Sequence, residues 1–289
     1  MAEKGHKNDW ETLIGFMEFV KTLPTLLHKD SILVDKEEEV NAIFFDDGVQ
    51  STETVFTISE KDDLSPLVFL VENKVRHANE IVCFYPFVRG GKKVRLQITE
   101  IKEWENKYEA IIYATNGEVT ISFFDTKYFK NKEKYKIGNE YTFYLNALAY
   151  NVHFLPEDKK RVSHEGQDAA RWYAMMGQEP EYDEKGKIKP YIMDFSKTVA
   201  YLPRHEDFYD DAQIQAPIIS VEKISAFQTE FYKFKIKIWQ NPNLDPDFCS
   251  PNIPDIYVDL YTKVDFFERT PTTEDSLEGF IWLQGYLEE

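Results

Sequence analysis

The chain has 289 residues, with 51 acidic against 34 basic side chains and a formal net charge of −17. That length can bury a sizeable core and suits two or more domains, while the acidity opposes indiscriminate attraction to nucleic acid or anionic lipid. No apolar run approaches the ~20 residues of a membrane-crossing helix, no secretion signal opens the chain, and the cysteines Cys83 and Cys249 lie far apart, so a reduced, cytoplasmic protein is expected.

Aromatic residues are abundant, with 22 Phe and 17 Tyr against only 12 Gly, and this leans toward sheet. From the N-terminus, Trp10, Leu13, Ile14, Phe16, Met17, Phe19 and Val20 recur at three- and four-residue spacing. Asn8 or Asp9 caps and Pro24 ends the run, which predicts an amphipathic helix over 9–22. The acidic run "DKEEEV" reads as an exposed connector or short helix. "NAIFF", "TVFTIS", "PLVFLV" and "EIVCFYPFV" read as strands broken by charges, Asp-Gly and Pro. These elements make residues 1–91 a mixed helix-and-strand region, and "RGGKKVR" separates it from the remainder of the chain.

From Val94 the strands lengthen. "VRLQITEIKEW", "KYEAIIYAT", "EVTISFF" and "EYTFYLNALAY" are divided by turns at Glu105-Asn106 and Asn116-Gly117 and by the polar stretch before Gly138. Four strands of similar length recur as "PIISVEKISAF", "EFYKFKIKIW", "DIYVDLYT" and "EGFIWLQGYL". Ile98, Ile101 and Trp104 correspond to Val221, Ile224 and Phe227, and Val119, Ile121 and Phe123 to Ile256, Val258 and Leu260. The last strands agree most closely, since Phe143-Tyr144-Leu145-Asn146-Ala147 and Ile281-Trp282-Leu283-Gln284-Gly285 share the order apolar, aromatic, leucine, amide, small. A duplication accounts for this order.

Each copy resembles an oligonucleotide/oligosaccharide-binding (OB) fold, in pattern rather than through an invariant motif. The resemblance implies a mainly β protein with two OB-like β-barrels, one over 92–155 and one over 216–289, after the N-terminal helix-plus-strands region. OB barrels have five strands, and the second copy offers four, so "PYIMDF" or "TVAYLP" is a candidate for the fifth. Between the copies, residues 156–215 form a connector in which Ser163 caps a short helix that runs through Met176 and is ended by Gly177 and Pro180.

Strand alternation defines a candidate binding face. Tyr232, Phe234, Ile236 and Ile238 turn inward, so Lys233, Lys235, Lys237 and Trp239 turn outward. Tyr257, Tyr261 and Trp282 join them from the neighbouring strands, with Asp255 and Asp259. Cations beside rings suit single-stranded DNA or RNA, whose bases stack for about 1–3 kcal/mol each while lysines neutralise phosphates. The first copy carries a thinner version in Tyr113, Phe124 and Tyr144 with Lys130, Lys132 and Lys134, inside a region (92–155) of net +2, whereas 1–91 carries −8 and 156–289 carries −11. The plainer reading pairs the lysines with Asp255 and Asp259 across strands and covers the rings with another part of the chain. A protein-interaction surface for a basic partner, as in an assembly, scaffold or toxin-neutralising subunit, fits the same composition.

Catalytic chemistry finds no motif. The six histidines are scattered, and no cysteine pair has metal spacing. "RGGKKVR" lacks phosphate-loop order, and no nucleophile elbow appears. "RHEDFYDD" gathers oxygen ligands without the spacing of a calcium loop, and reads as an exposed acidic turn. A non-enzymatic binding protein without cofactor or metal is the expectation.

Overall fold

The structure is a computed structural model of the chain, and it describes residues 9–21, 32–41, 50–57, 63–73, 78–204, 210–241 and 253–288. The N-terminal segment begins with a 3-10 turn at Asp9–Thr12, and residues 16–21 form a helical run. Gly15, at φ 85°, stands between the two. The single helix expected over 9–22 is therefore broken at the one residue that adopts this conformation cheaply.

Four antiparallel strands come next, adjacent in space in chain order: β1 (Ile32–Asn41), β2 (Gln50–Thr57), β3 (Leu64–Asn73) and β4 (Ala78–Val88). The run "DKEEEV" is thus part of a strand rather than a connector. Among the described residues it lies at the edge of this sheet, a place that tolerates charged residues. The strand expected from "NAIFF" falls almost wholly outside the described residues.

The rest of the chain supplies β5 (Lys92–Glu103), β6 (Ala110–Thr115), β7 (Thr120–Asp125), β8 (Glu140–Phe154), β9 (Arg161–His164), β10 (Tyr191–Asp194), β11 (Ala200–Pro203), β12 (Asp211–Ala226), β13 (Thr229–Trp239), β14 (Ile256–Lys263) and β15 (Ser276–Leu287). Strands β9 and β10 form a small hairpin-like pair, against which the helix Gly166–Met175 packs Trp172 and Tyr173. Ser163 lies inside β9 rather than at the cap, which Glu165 occupies. The other nine strands build one large mixed sheet, ring-like, and the protein is mainly β.

The two copies do not stand apart as separate barrels. In the first, β5 pairs β6, β6 pairs β7 and β5 pairs β8. The second repeats this with β12–β13, β13–β14 and β12–β15. What joins them is an exchange: β7 runs parallel to β15, β14 runs parallel to β8, and β8 pairs antiparallel with β15. Each copy thus completes a five-member cycle of pairings with the last strand of the other. The fifth strand expected from "PYIMDF" or "TVAYLP" comes from neither, since among the described residues β10 pairs only β9, and β11 lies outside the cycle against β12.

The register explains the repeated order of leucine, amide and small residue. Asn146 faces its own counterpart Gln284, Leu145 faces Gly285, and Ala147 faces Leu283. Each leucine therefore meets the small residue of the other copy, and a Cβ on Gly285 would sit 2.8 Å from Leu145 Cδ2 and from the Phe123 ring. The first strands match less well than their sequences suggest. β5 is bulged between Ile98 and Glu100, and β12 between Ile218 and Ser220, each where the strand passes from one partner to the next. By this feature Ile98 corresponds to Ile218, not Val221.

Inside the ring, one core collects Ile98, Ile112, Phe123, Phe143 and Leu145 with Ile218, Phe234, Ile236, Val258 and Leu283. Each such buried side chain contributes roughly 1.5–3 kcal/mol. Where the strands come closest there is no room even for a methyl. Gly279 (φ 150°) faces Val152, and a Cβ there would lie 2.1 Å from the Asn151 carbonyl oxygen. Gly279→Ala is expected to lower unfolding free energy by about 3 kcal/mol through overpacking and backbone strain, measured by urea titration.

Candidate functional site

Alternation along β13 puts Phe234, Ile236 and Ile238 inside, as the sequence predicts. The lysines between them face outward, and Lys233 and Lys237 are each paired with an acid of the same chain. Lys233 Nζ bonds Asp63 Oδ2 at 2.6 Å and lies 5.5 Å from the Tyr261 ring centre. Asp63 directly precedes β3, so the N-terminal layer reaches across to neutralise Lys233. Burial opposes the charge of Lys233, but the Asp63 bond together with the negative charges of Asp63, Asp259 and Glu222 outweighs it and holds the ammonium above its ordinary pKa. Lys237 Nζ pairs with Asp255 Oδ2 at 2.7 Å. Burial works to raise the Asp255 carboxyl, yet Lys237 and the Asn241 N–H pull it below the usual range. Lys235 stands 4.8 Å above the centre of Tyr257 and opposite Asp259, which Lys92 already holds at 3.0 Å.

The aromatic half of the predicted face lies under cover. Trp282 is fully buried and Tyr261 is 1 % exposed. Both belong to a second core made with Trp10, Phe19, Leu67, Phe69, Tyr85 and Phe87, so the N-terminal segment and sheet lie directly over the outer side of β7, β8, β14 and β15. Trp282 Nε1 donates to Asp210 Oδ2 at 2.6 Å, and the Tyr261 hydroxyl donates to Asp63 Oδ2 at 3.1 Å. Tyr257 stays half-exposed.

The repeated amides fasten this cover. Gln284 Nε2 donates to the Pro86 carbonyl at 2.8 Å, and its Oε1 accepts from the Val88 N–H at 3.3 Å. Asn146 Nδ2 donates to the Gly90 carbonyl at 3.2 Å. Neither Asp63 nor Gln284 was among the predicted site residues. A signal was present nonetheless: "EGFIWLQGYL" is nearly continuous in apolar side chains, which marks a strand buried on both faces.

Trp239 departs from the lysine row for a local reason. A bulge between Lys237 and Trp239 leaves Ile238 as the extra residue, so alternation fails there and Trp239 packs toward the interior core. Beside it lies a surface pocket of about 370 Å³, lined by Val119, Tyr201, Leu202, Ile238, Trp239 and Gln240. The Tyr201 hydroxyl lies 3.4 Å from both the nitrogen and the oxygen of Ser122 in β7.

In the first copy Phe124 is buried in the second core, 5.4 Å from Trp282. Tyr113 and Tyr144 are half-exposed, with Lys102 and Lys93 over their rings at 4.9 and 5.3 Å. Lys132 lies 5.8 Å from the Tyr108 ring, and Lys134 Nζ donates to Asn131 Oδ1 at 2.9 Å. Lys130 sits half-exposed at the end of the short helix Tyr128–Asn131. Lys107, Lys134 and Lys136 are exposed on the same loop cluster.

One buried carboxyl stands out there. Asp125 ends β7, has no exposure, and accepts from the Tyr135 hydroxyl and, at 2.9 Å, from the Lys127 N–H. Burial pushes its pKa up to about 7 against those two bonds. Among the described residues no His, Cys, Asp and Glu side chains group as a metal site, and no helix is long and apolar enough to cross a membrane. The acidic turn "RHEDFYDD" lies mostly outside the described residues, as does Cys249.

Comparison of the chain with protein-family models, curated proteins and solved structures finds no match.

Asp63→Ala strands the Lys233 ammonium and the buried Tyr261 hydroxyl, and should cost about 1–3 kcal/mol in chemical unfolding, whereas Lys233→Met should cost less. Asp125 holds a proton in the folded chain up to about pH 7 but loses it near pH 4 when unfolded. Folding is therefore favoured at low pH, and stability should fall as pH rises from about 4 to 7 and then level off. Asp125→Asn should flatten that slope in melting temperatures taken across the window.

Proposed function

We propose that the protein is a non-catalytic binding protein whose ligand is another protein of net positive charge, with the paired, OB-like rings acting as a rigid scaffold. The observation that carries this reading is the Asp63–Lys233 contact under the N-terminal layer. An OB fold offers the surface of its second and third strands to ligands, and here that surface holds the protein's own acid and its own aromatic core. What faces outward is largely acidic, at a net −17 overall, and such a surface steers and selects basic partners.

A second reading keeps single-stranded DNA or RNA as the ligand but moves it to the first copy. Lys107, Lys130, Lys132, Lys134 and Lys136 crowd the loops beside β5 and β7, in the only part of the chain with positive balance. Half-exposed Tyr113 and Tyr144 would be the stacking groups.

A labelled single-stranded oligonucleotide titrated against the full chain at several salt concentrations separates the two. The protein-partner reading expects no binding tighter than the non-specific range of about 10⁻⁴–10⁻⁶ M. Tight binding that weakens steeply with salt and with Lys132→Glu and Lys134→Glu overturns it in favour of the second.

A further inference from the structure

We propose that residues 132–137 form a strap that Tyr135 pins over Asp125, closed while Asp125 holds a proton and released when Asp125 loses it. This device is independent of what the protein binds. The strap joins the short helix Tyr128–Asn131 to the approach of β8 and carries Lys132, Lys134 and Lys136. Asn131 at one end is fully buried, and past the other end the Gly138 N–H donates to the Ile98 carbonyl at 2.8 Å. Between these points Tyr135 is the one buried residue, and Ile137 is 65 % exposed. The remaining bonds lie at the surface, where the Tyr141 hydroxyl accepts from the Lys136 N–H at 2.8 Å and donates to the Lys134 carbonyl at 2.9 Å. One buried side chain therefore fastens the segment to the core.

Tyr135 closes one end of the inner core, with its ring centre 5.6 Å from Tyr141 and 6.2 Å from Phe143. Its hydroxyl donates to Asp125 Oδ2, while Asp125 Oδ1 accepts the Lys127 N–H at 2.9 Å. The other walls of the site are parts of sheets. β15 lies alongside at Gly285, whose carbonyl accepts the Thr126 N–H at 2.9 Å, and fully buried Tyr85 of β4 donates to the Thr126 carbonyl at 2.9 Å. The strap has no strand neighbour along 132–137 among the described residues. Local opening begins where buried contacts are fewest, and around Asp125 that place is the strap.

The groups that face Asp125 are Lys127, Tyr128 and Tyr135 from the loop and Tyr85 from β4. Around these lie Glu103 and Glu133 beside Tyr128, and Glu109 and Cys83 beside Tyr85. Burial holds the three tyrosine hydroxyls above their ordinary range, so they stay neutral near pH 7. Burial of Asp125 outweighs its bonds to Tyr135 and Lys127 and the attraction of the Lys127 charge, and pushes its pKa up to about 7. Open to water, the same carboxyl ionises near pH 4. The closed strap therefore binds the proton more tightly than the open one, so closure is favoured at low pH and opening as the pH rises toward 7. Opening gives the carboxylate water and moves Lys132, Lys134 and Lys136 together with Tyr135.

The test is amide hydrogen exchange of the full chain, followed residue by residue by NMR and corrected for intrinsic exchange rates. Opening read at the Tyr135 and Lys136 amides is expected to become at least about tenfold more frequent from about pH 5.5 to 8. It should stay more frequent than opening at Phe234 and Ile236 in the inner core. Asp125→Asn leaves a neutral group in the site and should keep the strap at its acid-side protection throughout. Tyr135→Phe removes a bond that favours the ionised carboxyl, so the pH at which protection falls should move upward. Strap protection that ignores pH, that merely equals the protection of the core amides, or that still falls in Asp125→Asn overturns the proposal. An unmoved midpoint in Tyr135→Phe overturns it as well.

Discussion

The antiparallel contact between β8 and β15 is the constraint on which the rest of the molecule depends. Each of these strands belongs to one copy by sequence and to both cycles by hydrogen bonding. Without it, each repeat is a four-stranded sheet with two raw edges. With it, the edges are closed, the leucines of one copy fall on the small residues of the other, and the outer sides of four central strands merge into one apolar floor. The N-terminal layer needs that floor to fold against, because Trp10, Phe19, Phe69 and Phe87 bury themselves there.

Much of this was legible because it is local. Alternation along β13, the outlines of all eight repeated strands and the match between the last two strands come from a period of two residues and from turn chemistry. The exchange was not legible, because pairing between β7 and β15 joins residues about 160 apart and leaves no trace in either strand's own pattern. A missing fifth strand was visible as a deficit, and the natural search among nearby segments looked in the wrong place. Trp239 shows the limit of parity at finer scale, since one bulge turned a predicted surface ring inward.

The candidate face is only partly open: Tyr261 and Trp282 are buried, whereas Lys235 and Tyr257 stay half-exposed. A side chain on the outer face of a strand looks the same in sequence whether water or another layer covers it. Lys233 and Tyr261 satisfied the pattern of a nucleic-acid surface, and Asp63 met them both. Asp63 bonds both side chains from a layer that also buries Trp282, so this part of the outer face is a joint between the two layers. What then stays open is the acidic exterior and the lysine-bearing loops of the first copy.

Gln284 and Asn146 hold the same stretch of chain at the end of β4 while standing at the centre of the twofold-like relation between the copies. A single strand has a direction and so cannot treat two related halves alike. Two separate identical subunits would have to offer it the same amide twice. Linking the halves in one polypeptide frees them from that identity, and the longer glutamine on one side against the shorter asparagine on the other is the mark that this freedom has left in the chain.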